Sequence, residues 1–525
     1  MGGGELIIYN AYQAGLFGHH YTSEDLKSIQ GIDLETLQSA QTLFASFCRY
    51  LGERALHALS LENVIVTPEK ISPDLVKYMA TRVFGLPSDT DLALLSLPDA
   101  TGYDLSQDIL DNGQFVDSIG HEVTTRGVHT LSPRTITPQT IILAQQLQIH
   151  HALALPTELF PGRQIDGIYP TLGFVESHPT QLLNSKAANY LKQKELDTLN
   201  GTNFAPEGDI AYNLEGIRLI IARLARSQKK TIIKADLNVD GMGNLIIDPN
   251  ELVENTRFIE LELSQQEEII LARLKTKRIP VGQAAPVVVQ ELIKNIMAQP
   301  SFEVYSPPKT WGDEGPVGIY YDCEMIIEGG GFAGSIVPNP LDLKNGDGDI
   351  SDLAEYGIQK ELINRRQEYS ELLERVRKAV LAFARNVWAD GYVGINDADI
   401  VVYSDSQGNL QAKIVEYNYS RETGGTATYN FRKRLGRRIG QNVNAIGRDT
   451  ILGTSLNAPL ISVINLLDRN GVGFKQETGG AIILGHKVEG NRVGKIMSLV
   501  VGRTLKEAVF FDRMLRMIIA DPQEV

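Results

Sequence analysis

Ile414-Val-Glu416-Tyr-Asn418-Tyr-Ser-Arg421-Glu-Thr-Gly424-Gly425 decides how this chain reads. It starts inside an apolar strand, Ala412–Tyr417, and ends in a glycine pair. Residues i and i+2 of a strand point to one face, so Glu416 and Asn418 project together. One carboxylate and one amide oxygen on a common face suit a hard divalent cation shared with phosphates. A second strand, Ile400–Tyr403, precedes it across the turn 405–409 as the other arm of a hairpin, and Asp399 at its start offers another carboxylate. Arg421 lies just beyond these residues, where a guanidinium offsets charge on a transferring phosphoryl group. Taken alone, the segment reads equally well as a hairpin with solvated polar side chains.

Upstream residues change that balance. Thr231-Ile-Ile-Lys234 is an apolar strand ending in a lysine, followed within ten residues by the turn Gly241-Met-Gly243. A lysine there reaches a phosphate as a point charge. Backbone N–H groups of a glycine turn fold over phosphates because no side chain intervenes. About fifty residues earlier, Asn184-Ser-Lys186 opens a helix with a second cation. Either lysine alone is ordinary surface. Both in this order, with Asp399, Glu416, Asn418 and Arg421 downstream, form a pattern.

The ordered set resembles the ATP-grasp superfamily over residues 180–430. The resemblance implies an ATP-grasp fold in which Lys186, Lys234, Gly241 and Gly243 hold the phosphates of ATP between two α+β subdomains. Asp399, Glu416 and Asn418 would bind Mg²⁺ or Mn²⁺, and Arg421 would stabilise the transition state. Val287-Val-Val-Gln290-Glu291-Leu292-Ile293 resembles the hinge strand lining the adenine, with the backbone of Glu291 and Leu292 pairing the base. Glu303 resembles the acid often found near the ribose. The segment before this region resembles a pre-ATP-grasp domain, and residues 471–515 resemble the small closing domain of pheganomycin-type peptide ligases.

The expected architecture is therefore multidomain, α/β and α+β. A pre-ATP-grasp α/β domain occupies 1–180, an ATP-grasp region 181–435 with its lid near 230–290, and a small α+β closing domain 436–525. Local patterns agree. Strands are predicted at Glu5–Tyr9, Asn63–Val66, Leu92–Leu97, Gly127–Leu131 and Ile168–Phe174, alternating with helices such as Leu34–Leu51 and Pro138–Leu153. That alternation suggests a parallel sheet. Ile358–Ala389 reads as one long amphipathic helix, and Leu505–Ile519 as the closing one.

With 525 residues the chain exceeds a single core, so about two to four units are expected. Its net charge of -14 argues against general nucleic-acid or anionic-membrane binding. Only Cys48 and Cys323 occur, which excludes a disulfide framework and points to a reducing compartment. The N-terminus lacks the pattern of a targeting segment, and no apolar run approaches the roughly 18 residues a membrane span needs. A soluble, cytoplasmic chain is expected, with a homodimer as the default assembly.

Three other motifs fail on chemistry. Asp236-Leu-Asn238-Val-Asp240-Gly241 begins like a calcium loop, but its twelfth position is Ile247, so the bidentate glutamate is missing. Gly490-Asn-Arg-Val-Gly494-Lys495 is one residue short of a P-loop and lacks its Ser/Thr. The histidine pairs at 19–20 and 150–151 are adjacent, which sends their rings apart. The basic run Arg432-Lys433-Arg434 with Arg437 and Arg438 reads as a solvated helix face, or as an anchor for an anionic substrate.

By family chemistry the implied reaction joins a small-molecule carboxylate to an amine, either of them an amino acid or peptide, through an acyl phosphate. Phosphotransfer to a hydroxyl or carbonyl oxygen and a catalytically idle nucleotide-binding module are the competing readings.

Overall fold

The computed structural model describes residues 4–9, 29–30, 52–97, 100, 105–133, 138–151, 185–236, 243–253, 255–283, 285–306, 317–328, 331–342, 353–389, 394–418, 424–439, 443–453, 459–487 and 494–520. The predicted helix 34–51 and strand 168–174 lie outside these residues, as do Arg421 and Gly241.

The N-terminal unit is built on β1 (Glu5–Ile8), β2 (Val64–Thr67), α1 (Pro73–Lys77), β3 (Ala93–Ser96), α2 (Leu105–Leu110), α3 (Gly113–Arg126), β4 (Thr130–Pro133), α4 (Pro138–Gln146) and β5 (His150–His151). The strands make an all-parallel sheet in the order β3-β2-β1-β4-β5. Parallel sheets are covered on both faces, and β1 and β2 are accordingly apolar runs with almost no exposed residue. One face packs on α2, α3 and α4 through Leu6, Ile8, Val64 and Val66. The other joins the large core of the rest of the chain through Ile7 and Ile65. The helix predicted over 138–153 stops early. Gln148 is left-handed at φ 54° and Ile149 N–H closes back on Ala144 O at 3.0 Å, which ends α4 and frees two residues for β5.

A second unit follows: α5 (Lys186–Asn200), β6 (Gly208–Ala211), α6 (Leu214–Ala225), β7 (Thr231–Ala235), β8 (Asn244–Ile247), the short pair β9 (Leu252–Val253) and β10 (Thr256–Arg257), α7 (Leu263–Lys277) and β11 (Val287–Glu291). Its antiparallel sheet runs β6-β11-β7-β8. The Val287-Val-Val289 run is central because it is buried on both sides. Val287 and Val289 meet Ile217, Ile221, Phe258 and Ile270 on one face, while Val288 meets Ala187 and Tyr190 of α5 on the other.

The largest unit holds β12 (Ile296–Ala298), β13 (Pro300–Ser306), β14 (Gly318–Glu328), β15 (Gly331–Val337), α8 (Lys360–Ile363), α9 (Arg366–Ala389), β16 (Gly394–Ser404), β17 (Leu410–Asn418), α10 (Gly424–Ile439), β18 (Asn444–Gly453), α11 (Leu460–Arg469), β19 (Gly480–Lys487), β20 (Gly494–Gly502) and α12 (Leu505–Ala520). The strands form one antiparallel sheet in the order β12-β16-β13-β14-β15-β18-β20-β19, with β17 on β16. The sheet crosses the boundary expected at 435/436, because β15 pairs directly with β18. The helix expected over 358–389 is two, since Asn364 N–H and Arg365 N–H both close on Leu362 O. β15 lies within a glycine-rich stretch that carries no strand signal, and pairing with β14 and β18 is what makes it a strand.

Candidate functional site

Alternation along β7 aims the first cation. Ile233 and Ala235 enter the core of the second unit, so Lys234 between them projects the opposite way, on the side of Val288 and α5. Lys234 is buried, and its ammonium donates to Val415 O at 2.9 Å. Burial pulls its pKa below the ordinary lysine value; the Glu416 charge opposes this, and Lys186 adds to it.

Lys186 is placed by a cap. Ser185 Oγ accepts from Ala188 N–H at 3.0 Å and donates to Asp236 Oδ1 at 2.8 Å, and Ala187 N–H donates to the same oxygen at 2.8 Å. Asp236 follows β7 directly, so it ties the start of α5 to the strand carrying Lys234. Lys186 Nζ then lies 3.1 Å from Glu416 Oε1. Farther along α5, Asn189 and Gln193 donate to Tyr417 O and Ile414 O at 3.4 and 3.2 Å. The two lysines and Glu416 line one narrow cleft together with Gln290 and Val415, with free space of only about 20 Å³.

The acidic side is set by register. Asp399 sits opposite Glu416 and Asp397 opposite Asn418, while β13 places Ser301 beside Asp399 and Glu303 beside Asp397. The neighbours Phe302, Ala398, Ile400 and Tyr417 face the core, so these six polar residues share the other face of the sheet. A β-bulge makes this possible on β17. Asp399 pairs with Glu416 and Ile400 with Ile414, which leaves Val415 as the extra residue. Its carbonyl stands outside the regular ladder and is the one Lys234 takes. A second bulge lies on β14, where Glu303 pairs with Tyr321 and Val304 with Ile319, leaving Tyr320 extra.

Four carboxylates on neighbouring strands repel one another. Removal from water, then the charge of Glu416, pushes Asp399 up to about 7, with Ser301, Lys234 and Lys186 pulling the other way. Asp397 is driven well above the usual carboxylate range by burial, then by Asp399 and Glu303. Asp397 Oδ1 and Asp399 Oδ1 are shielded from solvent and accept no hydrogen bond among the described residues. Asn418 Nδ2 lies 3.4 Å from Asp399 Oδ2. Carboxylate and amide oxygens are the donor types a hard divalent cation takes, so the chemistry of these side chains suits Mg²⁺ or Mn²⁺, although no three acidic side chains among the described residues are drawn together closely enough to hold an ion. Asp397 is absent from the sequence-derived set. The signal was available, since Asp397 and Asp399 stand in the same i, i+2 relation as Glu416 and Asn418.

The remaining expected residues fall as follows. Gln290 is buried on β11 and lines the cavity. Glu291 N–H donates to Glu207 O at 2.7 Å and Leu292 N–H to Lys230 O at 2.8 Å, so these donors are committed within the chain. The Glu291 carboxylate pairs with Lys229 at 2.6 Å. Glu303 accepts from Tyr321 Oη at 2.8 Å and Thr426 Oγ1 at 3.0 Å, which puts it in the acidic group on β13. Gly243 leads into β8, its carbonyl accepting from Ala235 N–H at 2.9 Å. No helix among the described residues is long and apolar enough to cross a membrane.

Residues 52–149, which run from ahead of β2 to the end of α4, match the family model described as the Pre ATP-grasp domain. No curated protein matches the chain. Among solved structures, N5-carboxyaminoimidazole synthetase from Staphylococcus aureus is similar at 11% identity and TM-score 0.47, covering 98% of each chain. N5-carboxyaminoimidazole synthase from Aspergillus clavatus, in complex with ADP and 5-aminoimidazole ribonucleotide, is similar at 11% identity and TM-score 0.45, covering 98% of this chain and 99% of that one. An N5-carboxyaminoimidazole ribonucleotide synthetase from Thermotoga maritima has 13% identity and TM-score 0.42 over 99% of both.

Proposed function

We propose that the chain is an ATP-dependent carboxylate–amine ligase of the ATP-grasp type, forming an amide or peptide bond and releasing ADP and phosphate. The observation that carries this is the cavity joining Lys186 and Lys234, from one unit, to Glu416 from another. The Pre ATP-grasp match ahead of that cleft supports it.

In this reading Lys186 and Lys234 bind the phosphates of ATP. Both currently rest on oxygens, Glu416 Oε1 and Val415 O, that a polyphosphate would replace as partner. Asp399, Glu416 and Asn418, with Asp397 beside them, hold the divalent cation, which when bound offsets charge on the phosphate oxygens. Arg421 would stabilise the charge of the transition state. The acid substrate takes the γ-phosphoryl group, the bond to the β-phosphate oxygen breaks with ADP leaving, and the amine displaces phosphate from the acyl phosphate. The turn bearing Gly241 and Gly243 excludes water from that intermediate. Glu291 and Leu292 would line the adenine, and Glu303 would stand near the nucleotide sugar. Amino acids or peptides are the substrate class, in a soluble cytoplasmic enzyme acting as a homodimer.

The test is a phosphate-release screen over paired acids and amines, with mass detection of the condensed product. Glu416→Ala should lower turnover at least about a thousandfold while circular dichroism stays unchanged. Normal ATP-dependent product formation by that variant would reverse the role assignment.

A further inference from the structure

The basic run on α10 divides in a way its sequence does not reveal. Arg432 Nε donates to Val443 O at 2.5 Å, and Arg434 stacks 3.5 Å over the Phe84 ring while donating to His57 O at 3.3 Å. Those two cations hold the helix against neighbouring elements. Lys433 and Arg437 are four residues apart on a different face, in line with Tyr429, and both are exposed. Among the described residues neither pairs with a carboxylate. Partial burial and the nearby Arg437 charge lower the Lys433 pKa.

Beneath them lies an aromatic floor. Tyr429 stacks on Tyr321 with centroids 4.4 Å apart and planes 9° apart, and Tyr320 meets Tyr429 at 4.7 Å. Tyr320 is the extra residue of the β14 bulge, and that irregularity lets consecutive tyrosines both reach Tyr429. Lys433 Nζ stands 5.3 Å over Tyr320 and 5.6 Å over Tyr429. Such contacts contribute about 0.5–1 kcal/mol at exposed sites, which orients an ammonium without neutralising it. The floor is continuous with the acidic group, because Tyr321 Oη donates to Glu303.

We infer that Tyr320, Tyr429, Lys433 and Arg437 form the subsite for the far end of the acid substrate, and that this substrate is an elongated molecule carrying a second anionic group. The inference rests on the ligase reading and gives it a substrate class. α10 begins at Gly424, and Thr426 in its first turn donates to Glu303 of the acidic group at 3.0 Å. At 1.5 Å per residue, Lys433 lies about 12 Å and Arg437 about 18 Å along the axis from Gly425. A single carboxylate held at the acidic site is too short to touch either cation. An acid of about three residues reaches roughly 10 Å plus its side chains. That is enough to run from Glu416 to the Lys433 ammonium, which leans back over Tyr320 and Tyr429 toward the helix start, with Arg437 one turn beyond.

The probes are tri-glutamate, its neutral counterpart tri-glutamine, and free glutamate, titrated calorimetrically into the full chain with saturating ADP and Mg²⁺. Tri-glutamate should bind at least tenfold more tightly than either control, and the preference should shrink as salt rises. In Lys433→Gln/Arg437→Gln its affinity should fall to that of glutamate, while ADP affinity stays within twofold of wild type. Equal binding of tri-glutamate and tri-glutamine, no tri-glutamate binding, or full tri-glutamate affinity in the double variant overturns the inference. Failure of the unmodified chain to bind ADP at all would instead sink the ligase reading.

Discussion

Glu324 lies on the opposite face of β14 from the site, buried against α9, with Gln299 N–H donating to it and Tyr369 Oη 3.4 Å away. Burial pushes its carboxyl from the ordinary 4.5 up to about 8. The folded chain therefore keeps this proton between those values while the unfolded chain releases it. Stability from Glu324 is complete below about pH 4.5, declines as pH rises, and is lost above about 8. Glu324→Gln, neutral throughout, should match wild type in urea unfolding at pH 5 and exceed it at pH 8.5 by on the order of 2 kcal/mol. Within the site, Asp397 has a shielded oxygen turned toward the same face as Asp399. Asp397→Asn should weaken Mn²⁺ binding about 10- to 100-fold, read by electron paramagnetic resonance, without unfolding the chain. Unchanged Mn²⁺ affinity would remove Asp397 from the donor set.

Among the elements, β17 shows how one extra residue couples two units. Without Val415, Ile414 would still face the core opposite Ile400, and Glu416 would still face Asp399. What disappears is the carbonyl that receives Lys234. Deletion of Val415 should therefore spare Mn²⁺ binding and reduce ATP affinity at least about tenfold, because the carbonyl holds the Lys234 ammonium in the cleft until a phosphate takes it, and that preorganisation is lost. Equal losses of metal and nucleotide would show that the bulge shapes the acidic face itself. α5 is legible as a helix from Ser185 and its spacing, but its role as a bridge is not. Asn189 and Gln193 look like ordinary polar helix positions until β17 is laid beneath them.

At the scale of the whole molecule, the C-terminal segment is stitched into the large sheet. Arg448 on β18 donates to Asp512 on α12 from Nε at 3.1 Å and Nη2 at 2.9 Å, and Tyr356 Oη donates to the same carboxylate at 2.9 Å. Both charged side chains are almost fully buried, at 3% and 0% exposure. Asp512→Ala leaves Arg448 with only the exposed Glu328 carboxylate, 2.9 Å from its Nη1, as a charge partner and should cost about 3 kcal/mol in urea unfolding followed by far-ultraviolet circular dichroism. Replacing both residues with apolar ones of similar volume should recover most of that. The N-terminal unit is fastened to the same region by Arg82, which pairs with Asp468 on α11 and donates to Phe474 O at 3.2 Å. The boundary expected at 435/436 follows a change of sequence style. Strand pairing ignores that change, since β18, β19 and β20, from Asn444 onward, complete a sheet begun at β12–β13 with Ile296.

By itself the amino-acid order determined the alternating α/β start of the chain, the Lys234 strand, the hairpin carrying Asp399, Glu416 and Asn418, and the face those last two share. Each of these is a local matter: periodicity of two or 3.6, turn residues, and a charge at the end of an apolar run. The tertiary structure decided that Val415 bulges, that Lys186 and Lys234 meet one carboxylate-bearing strand, and that Asp397 joins the acidic group. It also sorted the basic run into two cations that hold α10 and two that face outward. Register between distant strands and the partner of a buried charge depend on contacts hundreds of residues apart, and no local pattern encodes them.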